Sequence, residues 1–299
     1  MKTLINLSVK KTATSFLHNL FRGAGIRVAP EKEYYIIPRK TKGFFNLHNN
    51  VMEAYDEKRQ TYFSANETSA LDEYDQAFLE QLLSLNRFTV DYIGQIKHPF
   101  DVALASIQRL DLLRQSYPES ELFVVSDPNF LTDFWSLAIA MDESELQLLK
   151  SLVAAYGIEF FSVLRNPVDT ALSLAALYSK EVQSELLYTE QYLNNIVSRC
   201  QQGKMIQYLS NNIGVVTRAY TFDFVTGQPL NFLSQFRSDF GIEKTPPLQA
   251  SDLPANPNPG AVFDGELRNL LRDFFSNRLE PELVFFNAFR DHESQGAIL

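Results

Sequence analysis

Cys200 is the only cysteine among 299 residues, so no intramolecular disulfide can form and no cysteine cluster can hold a structural metal. A reducing, cytoplasmic setting is the simplest expectation. Positive charge is also short, with 27 lysines and arginines against 36 aspartates and glutamates and a formal net charge of -9. The summed field of such a chain repels nucleic acid and long polyanions, so any anion it binds must be held by a local site. No run of about 18 apolar residues occurs, so no helical membrane span is expected. The apolar run Thr3 to Val9 is cut off by Lys10 and Lys11 and lacks a cleavage-like tail, so it does not read as a signal peptide. No His/Asp/Glu group has metal-ligand spacing, and no metal is expected. Internal repeats and low-complexity tracts are missing too.

The composition, 45% hydrophobic and 21% charged, suits one large globular domain or two intimate ones with a sizeable core. Short apolar segments read as strands at Thr3–Val9, Tyr34–Ile37, Glu121–Val125, Ile158–Leu164 and Ile213–Arg218. A helix is expected from Thr14 to Arg22, stopped by Gly23. Longer amphipathic stretches cover 45–58, 72–84, 101–116, 130–153, 168–180, 184–209 and 228–240. This alternation predicts an α/β fold with a mainly parallel central sheet flanked by helices on both faces. A polar, proline-rich loop over 243–260 leads to a C-terminal helical segment, 261–299, with a helix near Asp264–Asn277.

In parallel sheets ligands gather at the carboxyl ends of strands, and two such ends carry anion signals. The first is "KKTATSF", Lys10 to Phe16. A strand that turns into a helix here aims free first-turn N–H groups and the positive end of the helix dipole beyond the sheet. Thr12, Thr14 and Ser15 add hydroxyls, Lys11 adds charge, and small Ala13 permits close backbone approach. The pattern GxxxxGK[ST] is absent, because no glycine precedes the lysines or lies in the turn. The plain alternative is a helix capped by Thr12 or Thr14 beside solvated lysines. "GAG" at Gly23–Gly25 follows a helix, so it is a helix stop and no dinucleotide fingerprint.

The second signal is "FFSVLRNPVDTALSLAALYSK", Phe160 to Lys180. Asn166 suits a helix N-cap and Pro167 the first helical position, with Arg165 at the strand end and Ser173 two turns on. Arg165 and Ser173 could then reach one phosphate. Alternatively Arg165 pairs with Asp169 and Ser173 is a packing residue.

"KTATSF" followed by "LRNPVDTALS" resembles the sulfotransferases that use 3′-phosphoadenosine 5′-phosphosulfate (PAPS). "ELFVVSDPNF", "VVTRAYTFDF" with "NFLSQFRSDFGI", and "NPNPG" resemble further segments of bacterial members, so the likeness runs over most of the chain. Only the first two motifs are specific. Ala13 stands where the family has glycine, and the family's C-terminal Arg-Lys-Gly is not recognisable. The resemblance implies a single domain over 1–299 with the P-loop-like sulfotransferase fold. It also implies transfer of a sulfuryl group from PAPS to a hydroxyl or amine, leaving adenosine 3′,5′-bisphosphate (PAP). Lys10, Lys11, Thr12, Ala13, Thr14, Ser15 and Phe16 would then surround the 5′-phosphosulfate, and Arg165 with Ser173 the 3′-phosphate. Lys11 is the expected stabiliser of the leaving oxygen, with Lys10 its solvated neighbour; a one-residue shift would exchange the two.

An acceptor hydroxyl needs a base, and histidine suits neutral pH. His48, in "KGFFNLHNNVMEAY", is the resemblance's candidate, and Asp127 at a strand end is the carboxylate alternative, or else a cap for the helix starting near Asn129. His18 reads as structural inside the first helix, and His98 and His292 lie in loop-like and tail stretches. Glu67 sits among charges that look like a solvated helix start. Two other readings stay open: a kinase-like phosphotransferase, which lacks its glycine-rich loop and magnesium-binding acid, and a non-catalytic relative of the fold. The acidic balance favours a neutral or cationic small molecule, a lipid or a simple sugar as acceptor over a heavily sulfated glycan.

Overall fold

The computed structural model describes residues 2–28, 90–92, 95–96, 99–115, 122–126, 130–178, 190–242, 263, 265–291 and 296–299. The expected strand Tyr34–Ile37, the helices over 45–58 and 72–84, the loop over 243–260, and residues His48, Glu67, His98, Asp127 and His292 lie outside them.

The central sheet grows from β1 (Lys2–Asn6), whose Leu4 and Ile5 are buried on opposite faces. Its apolar run does not alternate with polar residues because helices cover both sides. Beside it lie β5 (Leu122–Val125) and β6 (Ile158–Leu164), both parallel, with Asn6 opposite Phe161. β2 (Arg27–Val28) extends one side and β7 (Thr217–Thr221) the other, also parallel. An antiparallel strand, β8 (Ala297–Ile298), closes the far edge, so the order is β2-β5-β1-β6-β7-β8. Apart from it, β3 (Val90–Tyr92) and β4 (Gln95–Ile96) form a two-stranded antiparallel pair.

One face carries Leu4, Leu122, Val124, Phe161, Val163 and Tyr220 against α1 (Thr14–Gly23) and α9 (Pro229–Phe240). Here Phe21 lies 4.9 Å from Phe236, Phe161 lies 5.2 Å from Phe236 and Tyr220 lies 5.1 Å from Phe232, between ring centroids. Edge-to-face and tilted pairs of this kind add about 0.5–1.5 kcal/mol each beyond their buried area. The other face packs Ile5, Phe123, Val125 and Phe160 against α2 (Pro99–Gln115), α3 (Phe130–Ile139), α4 (Glu143–Ala155), α7 (Gln202–Ile213) and α11 (Glu280–Asp291). A third cluster joins α5 (Pro167–Tyr178), α6 (Glu190–Arg199) and α10 (Gly265–Arg278) through Leu172, Ile196 and Phe275. The fold is therefore α/β with a mainly parallel sheet, as its alternation of elements predicts.

Several boundaries differ from expectation for identifiable reasons. The stretch 130–153 is two helices, because Asp142 forms a capping box with Glu145. The stretch 184–209 divides at Cys200–Gln201 into α6 and α7. The strand expected at Ile213–Arg218 starts at Thr217, since Gly214 at φ 65° ends α7 and Val215 and Val216 only link the two. α1 runs through Gly23, and the left-handed turn falls on Gly25 at φ 72°. α11 falls inside the expected C-terminal helical segment, whereas β8 and the six-residue α8 (Phe222–Gly227) were not expected. Backbone pairing of Gly296 N to Ala219 O at 2.7 Å and of Leu299 N to Thr217 O at 2.9 Å holds β8. The "RAY" segment is structural: buried Tyr220 donates to Asp239 at 2.7 Å, and Arg218 reaches Asp239 at 3.7 Å and the Gly296 carbonyl at 3.3 Å.

α11 is clasped to the start of α7. The buried Glu282 carboxylate accepts from the N–H groups of Gly203 at 2.7 Å and Lys204 at 2.9 Å, satisfying first-turn donors that α7 cannot pair internally. Burial pushes the Glu282 carboxyl up, and those two amides oppose the shift. A methyl group at Gly203 would sit 2.6 Å from the Phe285 ring and 2.9 Å from the Glu282 carboxylate. Gly203→Ala is therefore expected to lower unfolding free energy by about 1–3 kcal/mol in urea titration, the usual cost of overpacking. A wild-type midpoint in that variant would mean that the helices sit farther apart.

Candidate functional site

β1 and β6 are neighbours in parallel register, so the turns that follow them leave the sheet side by side. That places "KKTATSF" and "RNPVD" at one edge, 154 residues apart in sequence and joined by a hydrogen bond of 2.9 Å from Arg165 Nη1 to the Lys11 carbonyl.

The first turn is backbone-strained. Lys11 at φ 68° and Ala13 at φ 66° both occupy the left-handed region, which costs an L-residue with a Cβ about 1–2 kcal/mol. Such positions persist only when their surroundings enforce them, and they gather at functional sites. Thr12, fully buried between them, turns its hydroxyl back onto the Val9 carbonyl and pins the loop. Ala13 is the N-cap of α1, so no side chain caps the first turn. The alternative of a helix capped by Thr12 or Thr14 is thus not what forms. The Thr14 hydroxyl is buried with no hydrogen-bond partner, Ser15 and Lys11 are exposed, and Lys10 is half-buried. The side chain of Phe16 belongs to the core, leaving only its backbone for the turn.

The second turn is arranged differently. Asn166 caps α5, its Oδ1 accepting from Val168 N at 2.9 Å and Asp169 N at 3.3 Å, and Pro167 takes the first helical position as expected. With its terminus already served, the anion-binding capacity of this segment rests on Arg165. That guanidinium lies 4.6 Å from the centroid of Phe222, the first residue after β7. Asp169, the alternative partner named above, instead pairs with Arg272 at 3.1 Å. Of the five N–H groups of Arg165, the one that meets Lys11 is hydrogen-bonded, and the others have no partner among the described residues. Burial pushes its pKa down, and the charges of Asp169 and Asp223 oppose that shift, so the group stays cationic. Ser173 is half-buried on α5, one turn beyond Asp169.

Beneath both turns runs a buried polar seam that sequence reading missed. Asn6 Nδ2 donates to Ser126 Oγ at 2.9 Å, and Ser8 Oγ donates to Asn6 and accepts from Val163 N at 2.7 Å. Ser162 Oγ donates to the Leu7 carbonyl at 2.8 Å. Gln202, from the start of α7, spans Leu7 O, Ser162 Oγ and Val163 O at 3.1, 2.6 and 3.2 Å. His18 Nε2 lies 2.7 Å from the Ser126 carbonyl oxygen, which gives that histidine a structural place in α1. The available signal was the polar "NLS" of residues 6–8 inside an apolar strand; nothing local marked Gln202 or Phe222. A small cavity opens below Arg165 between Val9, Pro167, Gln202, Gly203 and Glu282. Cys200 also lines it, but burial pushes its thiol pKa up, so it remains protonated and is no nucleophile. Among the described residues no group of His, Cys, Asp and Glu is placed to hold a metal ion, and no helix is long and apolar enough to cross a membrane.

No protein-family model matches the chain, and no curated protein does either. Among solved structures the chain is similar to a sulfotransferase domain from the curacin biosynthetic pathway, at 13% identity and a TM-score of 0.42, over 93% of this chain and 97% of that one. At that identity no residue role transfers from it.

The strain in the first turn is measurable. Ala13→Gly is expected to raise unfolding free energy by roughly 0.5–1 kcal/mol, because glycine adopts the left-handed conformation without penalty. Ala13→Val, branched at the same position, should lower it by more than that. Equal stability of all three would contradict the left-handed turn.

Proposed function

We propose that this protein is a PAPS-dependent sulfotransferase that moves a sulfuryl group to a hydroxyl or amine of a small acceptor. The observation that carries the proposal is the meeting of an uncapped, left-handed strand-to-helix turn with an arginine whose donors are mostly unused. The residues fit a nucleotide with two separate phosphate groups. A buried Thr14 hydroxyl without a partner and the open first turn of α1 suit one anion, and the Arg165 fork suits the other.

When bound, PAPS supplies an activated sulfuryl group, whose bond to the bridging phosphate oxygen breaks as a bond to the acceptor forms. The protein's part is positioning and charge neutralisation. Thr14, Ser15 and the backbone N–H groups of the turn grip the 5′-phosphate. Lys11 neutralises the charge that grows on the leaving oxygen. Arg165, with Ser173, takes the 3′-phosphate. The acceptor proton passes to a base, for which His48 is the first candidate and Asp127 the second. Thr12 acts on the shape of the turn and not on the ligand.

Calorimetric titration with PAP, with ATP and 5′-AMP as controls, tests the proposal. Tight binding that requires the 3′-phosphate is expected. Preference for ATP, or no nucleotide binding at all, would overturn it. Arg165→Ala should weaken PAP binding by roughly 1.5–3 kcal/mol, the loss of a charge-assisted contact. Lys11→Ala should lower sulfate transfer far more than it lowers nucleotide affinity, and equal losses in both would remove Lys11 from the reaction step.

A further inference from the structure

Resting on that nucleotide reading, we infer that Phe222 is a positioning residue which holds Arg165 for the 3′-phosphate and so sets the preference for a bisphosphorylated nucleotide. An arginine at a strand end has a long, freely rotating side chain, and fixing it normally falls to a carboxylate. Such a partner would compete with an incoming phosphate for the same in-plane donors. Here the restraint has another form. The guanidinium rests 4.6 Å from the Phe222 ring centroid, and one Nη1–H is tied to the Lys11 carbonyl at 2.9 Å. Attraction to an aromatic face leaves the N–H edge of the guanidinium open.

The nearby carboxylates do not take those donors. Asp169 is paired with Arg272 at 3.1 Å, and Asp223, exposed on the first turn of α8, makes no hydrogen bond to Arg165. The half-buried Phe222 packs against the aromatic core through the same helix that carries Phe224, so the platform is anchored independently of any ligand.

The test is calorimetric titration of the full chain, wild type, Phe222→Leu and Phe222→Tyr, with PAP and with 5′-AMP, alongside thermal midpoints. Phe222→Leu is expected to lose about three- to tenfold in PAP affinity while 5′-AMP affinity is unchanged, the range of a partly exposed cation–π contact. Phe222→Tyr, which keeps an aromatic face, should retain the wild-type ratio of the two affinities. An unchanged ratio in Phe222→Leu, or an equal fall for both nucleotides, overturns the inference alone and leaves Phe222 a packing residue. Failure of the wild type to prefer PAP overturns the nucleotide reading, and the inference with it.

Discussion

The parallel pairing of β1 with β6 is the constraint on which the rest of the site depends. Strand pairing fixes register up to Asn6 opposite Phe161. After Leu7 N, which still donates to the Phe161 carbonyl at 2.7 Å, the ladder is replaced by side chains: Ser8 accepts from Val163 N, Ser162 reaches the Leu7 carbonyl, and Gln202 closes over both. Buried groups of this kind are costly if left unpaired, so any slip of one strand against the other would strand several donors and acceptors together. The seam therefore converts a general sheet into one fixed spacing between two loops.

That spacing explains why two unlike solutions coexist at adjacent helix starts. α5 satisfies its own first turn with Asn166, whereas α1 begins at an alanine that offers nothing to its amides. The strain at Lys11 and Ala13 is tolerated because Thr12 below and Arg165 beside the loop both bond to its carbonyls or to the residue before it. Although the net charge is -9, Lys10, Lys11 and Arg165 gather at these two turns.

Much of the architecture was legible in the sequence. Ile158–Leu164 is an unbroken apolar run with Asn166 and Pro167 after it, and both its span and the helix start beyond it follow from that pattern. The left-handed turn was not legible, because Lys11 and Ala13 are poor advertisements for positive φ; only the tertiary surroundings impose it. Gln202 and Glu282 were invisible for a related reason, since each acts across long sequence separations that periodicity cannot register. The break at Asp142 was readable from its capping box, "DESE", yet the apolar periodicity on either side masked it.

The Glu282 clasp carries a consequence for the order in which the molecule is made. The start of α7 holds Gln202, which closes the seam, but its cap comes from a residue 79 positions downstream of Gly203. At ordinary rates of synthesis that separation is on the order of ten seconds. For that interval the nascent chain carries β1, β6 and both loops while the first-turn amides of α7 still lack the carboxylate that caps them. The cap on α7 is thus completed only once α11 has been made.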